Sequence, residues 1–198
     1  MKVYGDTRSG NCYKIKLICA ILDIDLEWIN IDVLSNETQA PEFLEKNPNG
    51  KIPILELDDG RYISESNAIL NYLSEGSALS PNEVYDKIKV LQWQFFEQYS
   101  HEPFIAVARS IVKFYGLPDD RKDEYESKKA GGYKALNVME NQLSKTDYLV
   151  GHNLTIADIT LFAYTHVADE AGFDLSKFNA INAWINRIKS YPKFKEMN

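Results

Sequence analysis

The sequence has 198 residues, of which 44% are hydrophobic and 12% aromatic, enough to build the core of one large domain or of two small ones. Its formal net charge of −7 argues against a nucleic-acid-binding surface, because phosphate binding depends on clustered Lys and Arg. No stretch approaches the roughly 18 apolar residues of a membrane span, and the N-terminus lacks the apolar core of a signal peptide. We therefore predict a soluble cytoplasmic protein that binds neither nucleic acid nor membrane.

The beginning of the chain predicts a β-α-β unit. Residues 2–4 suit a short strand, and residues 5–11 have the Gly, Asp, Ser and Asn content of a loop. Apolar residues recur at helical spacing over residues 12–22, and residues 27–33 alternate as in a strand. Residues 41–44 suit the start of a short helix.

A β-hairpin that runs into a helix is the clearest local pattern. Pro53 has no N–H and suits the first residue of a strand or an edge, and Asp59-Gly60 between two apolar segments is a strong signal for a hairpin turn. Ser66 lies where the second strand ends and a helical pattern begins, so we predict that Ser66 is the N-cap of that helix. A helix start of this kind attracts a carboxylate.

The remainder of the chain is predicted to be helical. Residues 74–82 break every periodicity. We therefore expect one domain at residues 1–75, a linker at 76–83 and an all-helical domain at 84–198.

Two long helices and a capping box are predicted in the helical domain. Residues 84–115 form the first helix, with an irregularity near Pro103 because proline removes a helical donor. Its apolar positions include Ile88, Leu91 and Phe95. Residues 120–144 form the second helix, and Thr155 with Asp158 has the spacing of a capping box at the start of a later one.

The two cysteines are predicted to be reduced thiols. Cys12 and Cys19 are seven residues apart on one predicted helix, two turns from each other and too distant for a strain-free disulfide. Neither this pair nor the three scattered histidines has the spacing of metal ligands, so we expect no metal site.

Two motifs carry a family resemblance. Residues 47–53 read Asn-Pro-Asn-Gly-Lys-Ile-Pro, and residues 65–73, after the hairpin, read Glu-Ser-Asn-Ala-Ile-Leu-Asn-Tyr-Leu. Together they resemble the glutathione-binding half of cytosolic glutathione transferases, and the resemblance extends over essentially the whole chain. It implies a thioredoxin-like α/β domain with a mixed four-stranded sheet, followed by an all-α helical bundle, with glutathione as co-substrate and no metal.

The resemblance also implies how glutathione is held. The bond before Pro53 is expected to be cis, which turns the backbone of Ile52 toward the cysteinyl part of glutathione. The acid of Glu65 is expected to bind the γ-glutamyl ammonium, and the hydroxyl and N–H of Ser66 its carboxylate. A plain helix cap is an alternative interpretation of Ser66 that needs no ligand.

Two further residues are expected near the glycyl carboxylate of glutathione. Gln39 falls where related proteins place a Lys, Arg or Gln, and Lys51 precedes Ile52 where others have Gln or Lys. Lys51 could pair with that carboxylate as a point charge, or it could be an ordinary solvated lysine in a turn.

Ser9 is the first candidate for the catalytic residue. A free thiol has a pKa of about 8.5, so the protein must stabilise the glutathione thiolate, and a hydroxyl donor at a helix start does so. Ser9 precedes the first helix and matches the catalytic serine of theta-like and zeta-like transferases, which favours a bacterial or theta-like serine type. From the residues alone, Ser9 could equally be a simple helix cap.

Three alternatives to Ser9 lie close by in the sequence. Asn11 offers an amide N–H, and Tyr4 falls slightly before the position of the catalytic tyrosine in tyrosine-type transferases. Cys12 near a helix N-terminus could form a mixed disulfide with glutathione. It lacks the Cys-Pro-x-Cys context of glutaredoxin-type proteins, so a small buried residue is the more ordinary interpretation.

The function implied by the resemblance is conjugation of the glutathione thiolate to small hydrophobic electrophiles, a detoxification reaction. The electrophile is expected between the domains, although aromatic residues at helical spacing are also typical of a core. The candidates are Trp93, Phe96, Tyr99, Phe104 and Arg109. The resemblance further implies a homodimer with contacts around residues 61–72 and the first long helix.

Two other functions remain open on the sequence. A glutathione-dependent isomerase or dehalogenase could use the same site, since fold does not determine reaction. A non-catalytic interaction module of the same fold is the alternative from another class.

Overall fold

The computed structural model describes residues 1–197, and the chain divides into two compact units. The first contains residues 1–80 together with residues 192–197, and the second contains residues 81–191. Each unit has a core of its own.

The first unit is a mixed α/β domain around a four-stranded sheet, as predicted. Strand order is β2-β1-β3-β4, with β1 parallel to β2 and with β3 antiparallel to both of its neighbours. The elements are β1 (Lys2–Gly5), α1 (Gly10–Leu22), β2 (Glu27–Asn30), α2 (Pro41–Leu44), β3 (Ile54–Glu56), β4 (Tyr62–Ser64) and α3 (Ser66–Ser74).

Helices α1 and α3 pack against each other and bring the starts of both helices together. The buried positions of α1 include Tyr13, Ile15 and Ile18, and α3 contributes Ile69 and Leu70. Burying such side chains is the main favourable term in folding. The geometry of the two helix starts therefore depends on this core.

Three local boundaries differ from the sequence-based expectation. α1 begins at Gly10 because Ser9 is its N-cap, and β2 ends at Asn30 because Asp32 caps a short turn of 3-10 helix. The prediction that Ser66 is the N-cap of α3 was wrong. Glu65 occupies that position with φ 70° and ψ 114°, and Ser66 is the first helical residue.

The second unit is all-helical. Its helices are α4 (Val84–Phe96), α5 (Glu102–Lys113), α6 (Lys122–Leu143), α7 (Ile156–Thr165) and α8 (Asn179–Lys189). The predicted irregularity is a π-helical turn over Glu97–His101 that joins α4 to α5, with Pro103 in the first turn of α5. No helix within residues 1–197 is long and apolar enough to cross a membrane.

The start of α7 is held by a buried carboxylate, and the predicted capping box is confirmed. Oδ2 of Asp158 accepts hydrogen bonds from the N–H and the hydroxyl of Thr155, and Oδ1 accepts from Leu149 N and from Nε1 of Trp184, at 2.8–3.1 Å. Burial raises the pKa of Asp158 to about 6 despite these four donors. Asp158 therefore joins α7 to the preceding turn and to α8.

The apolar residues that the sequence analysis singled out on the first long helix are exposed. Ile88, Leu91 and Phe95 are 56%, 37% and 64% exposed, whereas α4 buries Val90 and Trp93. Apolar residues recur on both faces of α4, and the helical spacing alone does not say which face enters the core.

Candidate functional site

Ser9 lies at the N-terminus of α1, where the helix leaves backbone N–H groups available. Its backbone is extended, and its hydroxyl oxygen accepts from Cys12 N at 3.5 Å. The side chain is half-buried. The hydroxyl also forms a hydrogen bond with the Cys12 side chain, which lowers the thiol pKa without offsetting burial. A hydroxyl carries one donor proton and two acceptor lone pairs, so capping uses a lone pair and leaves the proton for Cys12 or for a bound anion. Capping and donation to an anion are therefore compatible roles of Ser9.

An ion-paired arginine stabilises the loop that carries Ser9. Arg8 donates to both oxygens of Asp6 through Nε and Nη2, at 2.5–3.1 Å, and Nη2 also donates to Asp32 at 3.0 Å. Burial raises the pKa of Asp6, but the hydrogen bonds and charge of Arg8 outweigh burial, so the net pKa lies below its ordinary value. No sequence pattern predicted a role for Arg8.

Neither cysteine resembles a reactive thiol. Cys12 is fully buried, and burial raises the pKa of its thiol to about 12. Burial has the same effect on Cys19, whose pKa is also raised to about 12. Both cysteines are free thiols. A thiol with so high a pKa is almost entirely protonated at neutral pH and is a poor nucleophile.

Tyr4 is committed to a different interaction. It lies on β1, and its hydroxyl donates to Glu56 on the paired strand β3 at 2.5 Å. Burial and this hydrogen bond both raise the pKa of Tyr4. The hydroxyl proton of Tyr4 is therefore already used within the sheet.

A hydrogen-bond network joins the starts of α1 and α3. The hydroxyl of Ser66 donates to Oδ1 of Asn11 at 3.2 Å, and Nζ of Lys14 donates to Oγ of Ser66 at 3.2 Å and to Oδ1 of Asn67 at 3.5 Å. Ser66 is 5% exposed and Lys14 is fully buried. The contacts of Ser66 with Asn11 and Lys14 were not predicted from the sequence. The sequence feature that could have indicated these contacts is a lysine, Lys14, between two apolar residues of α1.

The loop before β3 contains a cis peptide bond between Ile52 and Pro53, in agreement with the expectation from the resemblance. Asn47 Nδ2 donates to the carbonyl of Lys51 at 2.8 Å and thereby supports the loop just before this bond. Gln39 Nε2 donates to the carbonyl of Gly50 at 3.4 Å. Gln39 and this loop are therefore adjacent.

Two of the residues predicted to bind glutathione are exposed. Lys51 and Glu65 both have exposed side chains. Glu65 precedes the buried Ser66 and has a positive φ of 70°, which is rare for a residue with a side chain. The roles of these residues toward glutathione stay predictions.

Comparison with known proteins decides the family. Residues 1–75 match the glutathione S-transferase N-terminal domain, and residues 97–192 match the glutathione S-transferase C-terminal domain. The chain belongs to the glutathione S-transferase family. Glutathione S-transferase F10 of Arabidopsis thaliana is 34% identical over 189 residues, which cover 88% of this chain and 86% of the relative.

Two bacterial proteins are also similar to this glutathione S-transferase family member. A crystal structure of a glutathione S-transferase from Pseudomonas fluorescens Pf-5 is 59% identical, covers 99% of this chain and 98% of its own, and has a TM-score of 0.98. The disulfide-bond oxidoreductase YfcG of Escherichia coli is 28% identical over 92% of this chain and 87% of its own.

The residues predicted to line an electrophile pocket lie in the helical unit of this glutathione S-transferase family member. Trp93 is buried and meets Phe96 edge to face at 5.2 Å between ring centroids, and both line a cavity of about 310 Å³ with residues of α6. Tyr99 is 79% exposed and Phe104 half-buried. Their role stays a prediction.

Arg109 has a structural partner. It is buried, and its Nε donates to Glu170 at 2.6 Å. Lys113 binds the other oxygen of the same carboxylate. Burial raises the pKa of Glu170, but the hydrogen bonds from Lys113 and Arg109 lower it by more than burial raises it. The net pKa therefore lies below its ordinary value. This ion pair joins α5 to the segment before α8.

Within residues 1–197, no cluster of His, Cys, Asp and Glu could hold a metal ion.

Proposed function

We propose that this protein is a glutathione transferase of the serine type that joins the thiolate of glutathione to small hydrophobic electrophiles. The observation that carries the proposal is the 3.2 Å hydrogen bond from Ser66 to Asn11, which holds the starts of α1 and α3 side by side. Each helix start favours an anion. Glutathione presents two anions to such a pair, its thiolate and its γ-glutamyl carboxylate.

In this proposal Ser9 is a hydrogen-bond donor to the sulfur. Its hydroxyl and the N-terminal field of α1 stabilise the thiolate relative to the thiol, which lowers the thiol pKa. The proton leaves to solvent. The sulfur then attacks an electrophilic carbon, a C–S bond forms, and the leaving group departs with the electron pair of its bond to that carbon.

The other residues of the first unit bind the ends of glutathione. Ser66 receives the γ-glutamyl carboxylate and Glu65 the ammonium, while the backbone of Ile52 before Pro53 contacts the cysteinyl part. Gln39 and Lys51 lie on the segments that would meet the glycyl carboxylate. Hydrogen bonds to a charged group contribute about 1.5–3 kcal/mol each.

We also propose a homodimer formed through α4. Tyr85, Ile88 and Phe95 on α4 are all more than half exposed. Contiguous exposed apolar surface of this kind is typical of protein–protein contacts. The dimer would cover this face.

The test of the catalytic role measures the ultraviolet absorbance of bound glutathione thiolate against pH, for wild type and Ser9→Ala. We expect a bound thiol that titrates below the free value of about 8.5, and loss of that shift in the variant with binding retained. Turnover should fall more at pH 7 than at pH 9, because high pH ionises the thiol without help.

Asn11→Ala and Cys12→Ala are the matched variants. If Ser9→Ala left the thiol pKa and activity unchanged while either of these variants abolished activity, Ser9 would not be the thiolate donor. Binding without any pKa shift would favour a non-catalytic module. Products of isomerisation or halide release, in place of conjugates, would favour the isomerase or dehalogenase alternatives.

A further inference from the structure

Lys14 is a fully buried lysine in the middle of the apolar side of α1. Its neighbours Tyr13 and Ile15 are also fully buried. Removing an ammonium group from water costs several kcal/mol, offset only by good polar partners. Two of its partners are known: Ser66 at 3.2 Å and Asn67 at 3.5 Å, both at the start of α3.

The contact with Lys14 determines which way the hydroxyl of Ser66 acts. An ammonium group only donates hydrogen bonds, so Oγ of Ser66 accepts from Lys14. The hydroxyl proton of Ser66 must then point elsewhere, and it donates to Oδ1 of Asn11 at 3.2 Å. Donation by a cation to a hydroxyl oxygen also polarises the O–H bond and strengthens it as a donor.

We propose that Lys14 is a positioning residue that keeps Ser66 as a hydrogen-bond donor for the γ-glutamyl carboxylate of the bound thiol. The inference rests on the proposed function, in which Ser66 receives that carboxylate. When the thiol binds, its carboxylate replaces Asn11 Oδ1 as the acceptor of the hydrogen bond from the Ser66 hydroxyl. Lys14 continues to donate to Oγ of Ser66. Lys14 acts through Ser66 and does not touch the sulfur.

This role predicts a selective effect on ligand affinity. Lys14→Met keeps the length of the side chain and removes its charge and its donors, whereas Lys14→Gln keeps a donor without the charge. Lys16→Met is the matched control, because Lys16 lies on the same helix but its ammonium faces the ring of Trp28 at 4.7 Å.

The experiment measures the Kd of two thiols on the full-length protein. One is glutathione, and the other is 4-aminobutyryl-cysteinylglycine, which is glutathione without the γ-glutamyl carboxylate. We expect Lys14→Met to weaken glutathione binding at least tenfold and binding of the analogue less than twofold, with Lys14→Gln in between. Lys16→Met should change neither Kd by more than twofold.

A second variant tests whether Lys14 acts through Ser66. In a Ser66→Ala background the hydroxyl is absent, so adding Lys14→Met should change the Kd of glutathione less than twofold. The pKa of the bound thiol should be the same in Lys14→Met as in wild type, because Lys14 does not contact the sulfur. If Lys14→Met fails to fold, the same measurements on Lys14→Gln decide the question.

Three results would overturn the inference. An equal loss of affinity for both thiols, or an undiminished loss in the Ser66→Ala background, would make Lys14 a purely structural link between α1 and α3. A wild-type protein that binds glutathione no better than the analogue would instead refute the assignment of Ser66 in the proposed function, and the inference with it.

Discussion

Buried ionisable side chains in this protein each have a different stabilising environment. Asp158 accepts four hydrogen bonds, Arg109 is paired with Glu170, and Lys14 donates to the polar start of α3. His166 is half-buried. Burial lowers its pKa to about 4 and outweighs the hydrogen bond between its Nδ1 and the carbonyl of Phe162 at 2.7 Å, which raises the pKa. The same desolvation therefore raises the pKa of an acid and lowers that of a base.

His166 should make the stability of the protein depend on pH between about 4 and 6.5. In this window the unfolded chain binds a proton at His166, whereas the folded protein, with a pKa of about 4, does not. Stability therefore rises with pH across the window and is lost as pH falls through it, by on the order of 3 kcal/mol.

Urea unfolding of wild type and His166→Phe at several pH values checks this expectation. The phenylalanine variant cannot titrate, so the difference in unfolding free energy between the two proteins should change between pH 6.5 and pH 4. A difference that stays constant across this range would contradict the assignment to His166.

At the level of elements, α6 contains two adjacent glycines where it packs on neighbouring aromatic rings. A Cβ on Gly131 would lie 2.2 Å from the ring of Phe104, and a Cβ on Gly132 would lie 2.4 Å from the ring of Phe173. Glycine in a helix interior costs about 1 kcal/mol relative to alanine. Close approach of the rings explains why α6 has glycine at both positions.

Alanine substitutions at these two glycines should have different effects. Phe173 is only 2% exposed and cannot move freely, so we expect Gly132→Ala to lower the unfolding free energy by about 1–3 kcal/mol through overpacking. Phe104 is half-buried, and its ring can turn away, so Gly131→Ala should cost less. Urea unfolding of both variants measures which substitution lowers the unfolding free energy more. A larger decrease for Gly131→Ala than for Gly132→Ala would contradict this explanation.

At the scale of the whole molecule, the exposed face of α4 is the feature that an isolated chain does not explain. Large apolar side chains along one helix face rarely remain in water unless they bind a partner. The family resemblance and this exposed face both favour a second copy of the chain as that partner.

Placing charge on this face should separate the proposed dimer. We expect Ile88→Lys with Phe95→Lys to convert a dimer into a monomer, because burying an unpaired lysine in an apolar contact is costly. Sedimentation equilibrium measures the mass of each species. Leu34→Lys is the control, since Leu34 is 45% exposed but lies outside α4. A wild-type monomer, or a double variant that remains dimeric, would refute the α4 interface.

Features that depend on neighbouring residues were predictable from the sequence. The hairpin of β3 and β4, the helical irregularity near Pro103 and the capping box of Asp158 with Thr155 all follow from backbone preferences over a few residues. The start of α3 at Ser66 was missed by one residue, because the positive φ of Glu65 is unusual for a glutamate and no local preference predicts it.

The sequence by itself determined the order of elements in the first unit, the family motifs and the candidate residues Ser9, Ile52 and Ser66. Only the tertiary structure decided which distant side chains contact each other. Lys14 donates to Ser66, 52 positions away, and Arg109 binds the carboxylate of Glu170, 61 positions away. Only the structure, too, decided which apolar face of α4 is buried. The physical reason is that spacing along the chain sets which side chains share a face of one element, while contacts between elements depend on how their cores pack.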